Sequence, residues 1–96
     1  MPDIFLDAAR SHAETILHER GYTHLHVRTY GQQLVIYSGD ADDRQNRARL
    51  TLLRSDRYRL DMATHRGRWE TTPFTGTLLE MLAMLTDQFG FVLADF

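Results

Sequence analysis

Residues 24–37 read HLHVRTYGQQLVIY, and this stretch decides the fold. Apolar and polar side chains alternate on both sides of Gly31-Gln32, which is the pattern of two β-strands joined by a two-residue turn. With that turn Tyr30 pairs with Gln33, so the apolar residues of both strands share one face. The stretch therefore predicts an antiparallel hairpin with an apolar inner face and a polar outer face.

A second pair of strands follows the same logic. Residues 48–54 and 58–65 each alternate, and a three-residue loop at 55–57 brings their apolar residues to the inner face. That loop sets Leu52 beside Leu60. The chain thus continues as an antiparallel sheet in which neighbouring strands are consecutive in sequence.

The next turn decides where the single tryptophan lies. Arg66-Gly67 has the composition of a tight turn, which places Trp69 opposite Thr64 on the inner face. We therefore expect Trp69 to belong to the core rather than to a binding site. Arg68, one position earlier, is expected to face outward.

Helices are predicted at both ends of these strands. Apolar residues at helical spacing predict a first helix from about residue 3 or 4 to Arg20, with Gly21 as its end. Thr77 and Glu80 have the spacing of a capping box, which predicts the start of a last helix. The apolar stripe of the first helix is Phe5, Ala9, Ala13, Ile16 and Leu17.

The chain of 96 residues is long enough for one core, so we predict a single domain over residues 1–96. The predicted fold is α+β: an N-terminal helix, a four- to five-stranded antiparallel meander sheet and a C-terminal helix, with both helices on one face of the sheet. Residues 91–96 form either a short edge strand or a tail packed on the core.

Composition excludes several classes of protein. The chain has no Cys, so it needs no oxidising compartment, and its N-terminus is acidic where a signal peptide is basic. No apolar run is long enough for a bilayer span. All 11 basic residues are Arg. We expect a bacterial-type protein of the cytoplasm that makes no contact with membranes.

The net charge of −2 conceals an uneven distribution. Residues 1–19 carry a net −3 and residues 69–96 a net −4, whereas residues 20–68 carry a net +5. A basic centre between acidic ends suits an acidic partner.

Catalytic residues are not predicted. The dense acids lie in a polar loop at 40–43, and the sequence has neither a nucleophile elbow nor a phosphate-binding glycine motif, so we expect no enzymatic activity and no cofactor. One alternative is a metal-dependent enzyme. His24 and His26 project from one face of a strand, and His65 could supply a third ligand.

The strongest positive signal is the predicted outer face, which carries arginine together with tyrosine. These residue types are enriched at protein interfaces, so we predict a binding module such as an adaptor, inhibitor or assembly factor, whose partner is another protein and acidic in character. The main alternative is a protein that binds single-stranded RNA or DNA, and a homodimer is also compatible. Asp61 is expected on the same face, where it neutralises part of the arginine charge. The predicted binding residues are Arg28, Tyr30, Tyr37, Arg49, Arg59 and Arg68.

Overall fold

The fold is a helix, five strands and two further helices, seen in a computed structural model that describes residues 4–40, 42–64 and 66–93. The strands form one antiparallel sheet in the order β1-β2-β3-β4-β5. This confirms the predicted α+β meander. In chain order the elements are α1 (Ile4–Glu19), β1 (Leu25–Tyr30), β2 (Gln33–Ser38), β3 (Gln45–Arg54), β4 (Arg57–Ala63), β5 (Trp69–Thr77), α2 (Leu78–Gln88) and α3 (Gly90–Leu93).

The β1–β2 hairpin has the predicted register. Tyr30 pairs with Gln33 and the two-residue turn begins at Gly31. The φ angle of Gly31 is 59°, which matches the first central position of a type II′ turn. A β-carbon is disfavoured at that angle, so glycine and strand alternation specify the same hairpin.

The β3–β4 hairpin differs from the prediction in its turn. Two residues, 55–56, join the strands, and Leu60 pairs with Leu50 rather than with Leu52. A bulge at Leu53 absorbs one residue of β3, which a count of regular strand positions does not foresee. The predicted pairing was wrong by two residues, so the same side chains still face the core.

The β4–β5 turn is longer than predicted, and this changes the position of the tryptophan. The Thr64 amide donates to the Arg68 carbonyl over 2.7 Å, and Trp69 pairs with Ala63 rather than with Thr64. A one-residue shift reverses the face of every side chain, so Trp69 lies on the outer face and its assignment to the core was wrong. Arg68 lies in the turn before β5, and His65 lies outside the described residues.

The inner face of the sheet packs against the helices around one core. Leu25, Leu34 and Leu60 are fully buried there. The stripe of α1 differs from the prediction at its first turn, because Phe5 is 87% exposed whereas Leu6 is 2% exposed. The buried helix residues are Leu6, Ala13, Ile16, Leu17, Met81, Leu82, Leu85 and Leu93.

Helix α2 begins at the predicted capping box. The Glu80 amide donates to Thr77 Oγ1 over 3.2 Å and the Thr77 amide donates to Glu80 Oε1 over 2.9 Å, which completes the capping box. The chain after residue 89 forms the short helix α3 and buries Leu93 in the core, while residues 94–96 lie outside the described part. Within the described ranges, none of the helices has the length and apolar character that a membrane crossing requires.

Side chains of α1 protect the edge strand β1. Arg10, Glu14 and His18 follow one another at intervals of about one helical turn along one side of α1. Glu14 Oε2 accepts from the Val27 amide (2.8 Å), Arg10 Nη1 donates to the Val27 carbonyl (3.3 Å), and His18 Nε2 binds the Leu25 carbonyl (2.7 Å). These contacts satisfy backbone groups that an exposed edge would offer to another strand.

Candidate functional site

The outer face is the side of the sheet opposite the helices. Strand pairing places one residue of each strand in a row across it. Three of the four predicted arginines share this face, and Arg68 does not. The central row is Arg28, Val35, Arg49, Asp61 and Thr71, and the row beside it is Tyr30, Gln33, Thr51, Arg59 and Thr75.

A buried ion-pair cluster lies at the centre of the outer face. Asp61 has no exposed surface, and its Oδ2 accepts from Arg49 Nε over 2.9 Å and from Thr51 Oγ1 over 3.0 Å. Arg59 donates from Nε to Oδ1 over 2.9 Å and from Nη2 to Oδ2 over 3.2 Å. The carboxylate is therefore fully engaged by two arginines and a hydroxyl group.

The electrostatics of Asp61 follow from these contacts. Burial is the largest single influence and it raises the pKa of the Asp61 carboxyl, but hydrogen bonds from Arg59, Arg49 and Thr51 together outweigh it. The pKa of Asp61 therefore lies below its ordinary value. The hydrogen bond with Asp61 in turn raises the pKa of Arg59. Two of the predicted binding arginines thus have a structural role.

A shallow pocket of about 350 Å³ opens on the outer face beside this cluster. Trp69 forms one of its walls, and the guanidinium carbon of Arg49 lies 4.6 Å from the centre of the indole ring. Polar groups from three strands also reach it. The lining residues are Arg28, Tyr30, Gln33, Val35, Asn46, Arg49 and Trp69.

Two polar atoms of this pocket are buried without a hydrogen-bond partner among the described residues, namely Arg28 Nε and Asn46 Oδ1. Arg28 also forms no ion pair with any residue in the described ranges. An unsatisfied buried polar group costs about 1–3 kcal/mol. Native structures contain few such groups, and both of these lie in the lining of the same pocket.

Tyrosine rings surround Arg28. Its guanidinium carbon lies 5.9 Å from the ring centres of both Tyr30 and Tyr37. Tyr37 also contacts Arg44, whose guanidinium carbon is 4.7 Å from the ring centre. Tyr30 is 67% exposed, so an exposed aromatic surface lies next to the Arg28 guanidinium group.

Replacing Arg28 with methionine tests whether this arginine serves folding. Each of its two cation–π contacts contributes about 0.5–1 kcal/mol, and an unsatisfied buried Nε costs about 1–3 kcal/mol. Because the two effects are of similar size and opposite sign, we expect Arg28→Met to leave the free energy of unfolding unchanged or to raise it. Arg49→Met removes a charged hydrogen bond to Asp61 and is expected to cost about 1.5–3 kcal/mol. Urea unfolding of both variants measures the difference. An equal loss in both variants would show that Arg28 has a structural role.

The histidines are not arranged as the sequence predicted. His24 precedes β1, and its Nε2 binds the Leu93 carbonyl over 2.8 Å. His26 lies near Glu14 and His18 of α1 instead. The expected pairing of His24 with His26 in front of the sheet is therefore not formed.

Sequence reasoning missed Trp69 and Asn46 as site residues, because a long turn and a bulge decide where they lie. It also missed Glu14 and His18, although their spacing of four residues on a predicted helix was a usable signal. Neither a protein-family model nor a characterised protein nor a solved structure matches this chain.

Proposed function

We propose that this protein is a non-catalytic binding module of the cytoplasm that recognises an acidic segment of a partner protein through its outer face. The observation that carries the proposal is Arg28, which lines the pocket, forms no ion pair with any described residue and has an Nε without a hydrogen-bond partner among them. A carboxylate is a strong acceptor for a guanidinium group, and such charge-assisted bonds are about twice as strong as neutral ones.

The other pocket groups fit a protein side chain. Trp69 and Tyr30 offer apolar surface with polar tips, and tryptophan, tyrosine and arginine are the residue types that dominate binding energy at protein interfaces. Gln33 can donate or accept, which suits the peptide backbone next to a bound carboxylate. The pocket thus combines a charged anchor with an aromatic rim.

Charge favours a protein over a nucleic acid as partner. Arg49 and Arg59 share the carboxylate of Asp61, so together they offer phosphates only one net positive charge. The whole chain has a net charge of −2 and a pI near 6.2, whereas nucleic-acid-binding domains are usually basic. Arg28 is therefore suited to bind a single carboxylate rather than to form part of a continuous row of arginines along a phosphate backbone.

Both edges of the sheet oppose addition of a partner strand, which favours recognition through the outer face. The free edge of β1 already bonds to Arg10, Glu14 and His18 of α1. The other edge strand, β5, contains Pro73, which has no N–H for a further strand. Addition of a partner strand, including that of a second copy of this chain, is opposed at both edges.

Selection from a displayed library of random twelve-residue peptides tests this function. The immobilised full chain is the target, and Arg28→Glu serves as a second target in parallel. We expect the wild-type protein to enrich peptides rich in Asp and Glu that Arg28→Glu does not retain. Enrichment of basic or uncharged peptides, or equal retention by both targets, would overturn the proposal.

A gel shift with mixed-sequence single-stranded RNA and DNA at low salt tests the alternative partner. We expect no shifted band at protein concentrations that bind the selected peptides. A shift that weakens steeply as salt rises would assign the outer face to phosphates and contradict a protein partner.

A further inference from the structure

A second cluster of side chains lies where α1 crosses the edge of the sheet. Glu14 and His18 are one turn apart on α1, and His26 reaches them from β1. One potential ligand atom from each of these residues lies within 4.8 Å of the other two. The rings of His18 and His26 are 6.3 Å apart between centres and nearly perpendicular.

The hydrogen bonds of the cluster leave one metal-ligating atom free on His18 and one on Glu14. His18 Nε2 lies 2.7 Å from the Leu25 carbonyl, and a carbonyl can only accept, so Nε2 carries a hydrogen and, in the neutral ring, the lone pair is on Nδ1. Histidines that bind metals commonly donate their other ring N–H to a backbone carbonyl in this way. The bond thus selects the tautomer that a metal ligand requires.

Glu14 is held in a similar manner. Its Oε2 accepts from the Val27 amide and lies 3.5 Å from Arg10 Nη1, whereas its Oε1 accepts no hydrogen bond from the described residues. One carboxylate oxygen is therefore anchored to the edge strand and the other remains available. The charge of Arg10 weakens attraction to a cation, but it is directed at the anchored oxygen.

We propose that Glu14, His18 and His26 form a zinc-binding site that joins α1 to the edge strand β1. Two imidazoles and one carboxylate suit Zn²⁺ and similar late transition metals rather than Mg²⁺ or Ca²⁺. Three protein ligands leave a fourth tetrahedral position for water. This inference is independent of the acidic partner proposed for the outer face.

Modest closure completes the geometry. Zinc bonds of about 2.0–2.1 Å place tetrahedral ligand atoms roughly 3.3 Å apart, which is closer than the 4.8 Å limit within which the three atoms lie here. His26 is exposed and can change its side-chain torsions, whereas Glu14 and His18 are partly buried and hydrogen-bonded. The helix supplies two hydrogen-bonded ligands and the strand supplies the exposed third.

Calorimetric titration of the untagged full chain with zinc chloride tests the site. We expect one zinc ion per chain at this site, and no comparable heat from magnesium chloride. His26→Ala removes a ligand and must weaken zinc binding by at least the roughly tenfold that loss of an outer-shell contact costs. His18→Gln is expected to weaken it to a similar degree.

His12→Ala is the matched control, because His12 is an exposed histidine of the same helix outside the cluster. It is expected to bind zinc as the wild type does. At the same zinc concentration, zinc should also raise the thermal unfolding midpoint of the wild type and of His12→Ala by more than that of His26→Ala, since an ion stabilises the native state in proportion to how tightly it binds. Absence of zinc binding by the wild type, wild-type affinity in His26→Ala, or an equal loss in His12→Ala would overturn the site.

Discussion

Replacing Asp61 with alanine is expected to destabilise the protein by about 3–5 kcal/mol. Asp61 is fully buried and engages Arg49 and Arg59, so its removal leaves two guanidinium groups without their counter-ion at the centre of the sheet. Domains of this size are stable by only about 5–15 kcal/mol, so the variant should approach unfolding at ambient temperature. Urea unfolding followed by circular dichroism measures the loss.

Asp56→Ala is the matched control for this substitution. Asp56 is exposed in the β3–β4 turn, so its loss should change the free energy of unfolding by less than about 0.5 kcal/mol. A similarly small effect for Asp61→Ala would contradict the buried cluster.

The stability that Asp61 contributes should depend on pH. Its pKa in the folded protein is lower than the ordinary value of 3.8, so the unfolded chain binds a proton more readily. The contribution is therefore complete above the ordinary value and is lost as the pH falls from there through the lower folded pKa. The difference in unfolding free energy between wild type and Asp61→Asn should shrink over that acidic range and stay constant near neutral pH.

The second large effect concerns binding. Arg28→Glu is expected to weaken the tightest peptide from the library selection by at least about thirtyfold, which corresponds to the roughly 2 kcal/mol that loss of one partner of a buried charge pair costs. The substitution reverses the charge of the pocket arginine that forms no ion pair with any described residue. Trp69, the single tryptophan of the chain, lines the same pocket, so its fluorescence reports binding.

Arg54→Glu is the control, since it makes the same change in net charge at an exposed position near the β3–β4 turn. It should alter affinity by no more than a few fold, through long-range electrostatics alone. Equal losses in Arg54→Glu and Arg28→Glu would show that net charge, rather than the pocket, governs recognition.

Arg49 and Arg59 are predicted binding residues, but their hydrogen bonds to Asp61 make them poor targets for charge reversal. Strand alternation predicts that Asp61 shares a face with these arginines, but the predicted register, wrong by two residues, did not set Asp61 opposite Arg49. The complete burial of Asp61 could not be predicted either, because burial depends on how the arginine stems pack over the sheet. Reversing both charges would surround a buried carboxylate with further negative charge. Such a variant would lose stability together with binding, so Arg28 is the cleaner test.

The sequence predicted the fold where local and long-range signals agree. The alternation of β1 and β2 and the glycine of their turn specify the same register. The start of α2 could also be predicted, because its capping box requires only Thr77 and Glu80, which are three residues apart. Trp69 shows the opposite case, because a turn one residue longer than assumed moved it to the outer face. The cluster of Glu14 with His26 depends on how α1 docks against β1, which no short stretch of sequence encodes.

Mapping by nuclear magnetic resonance tests the central claim most directly, namely that the outer face is the recognition surface. A hexaglutamate peptide is titrated into ¹⁵N-labelled protein, with hexaglutamine as the uncharged control. We predict that hexaglutamate shifts the signals of Arg28, Asn46 and the Trp69 indole N–H most strongly, and that hexaglutamine leaves them unchanged. Changes centred on α1 or α2, or equal responses to both peptides, would contradict the account.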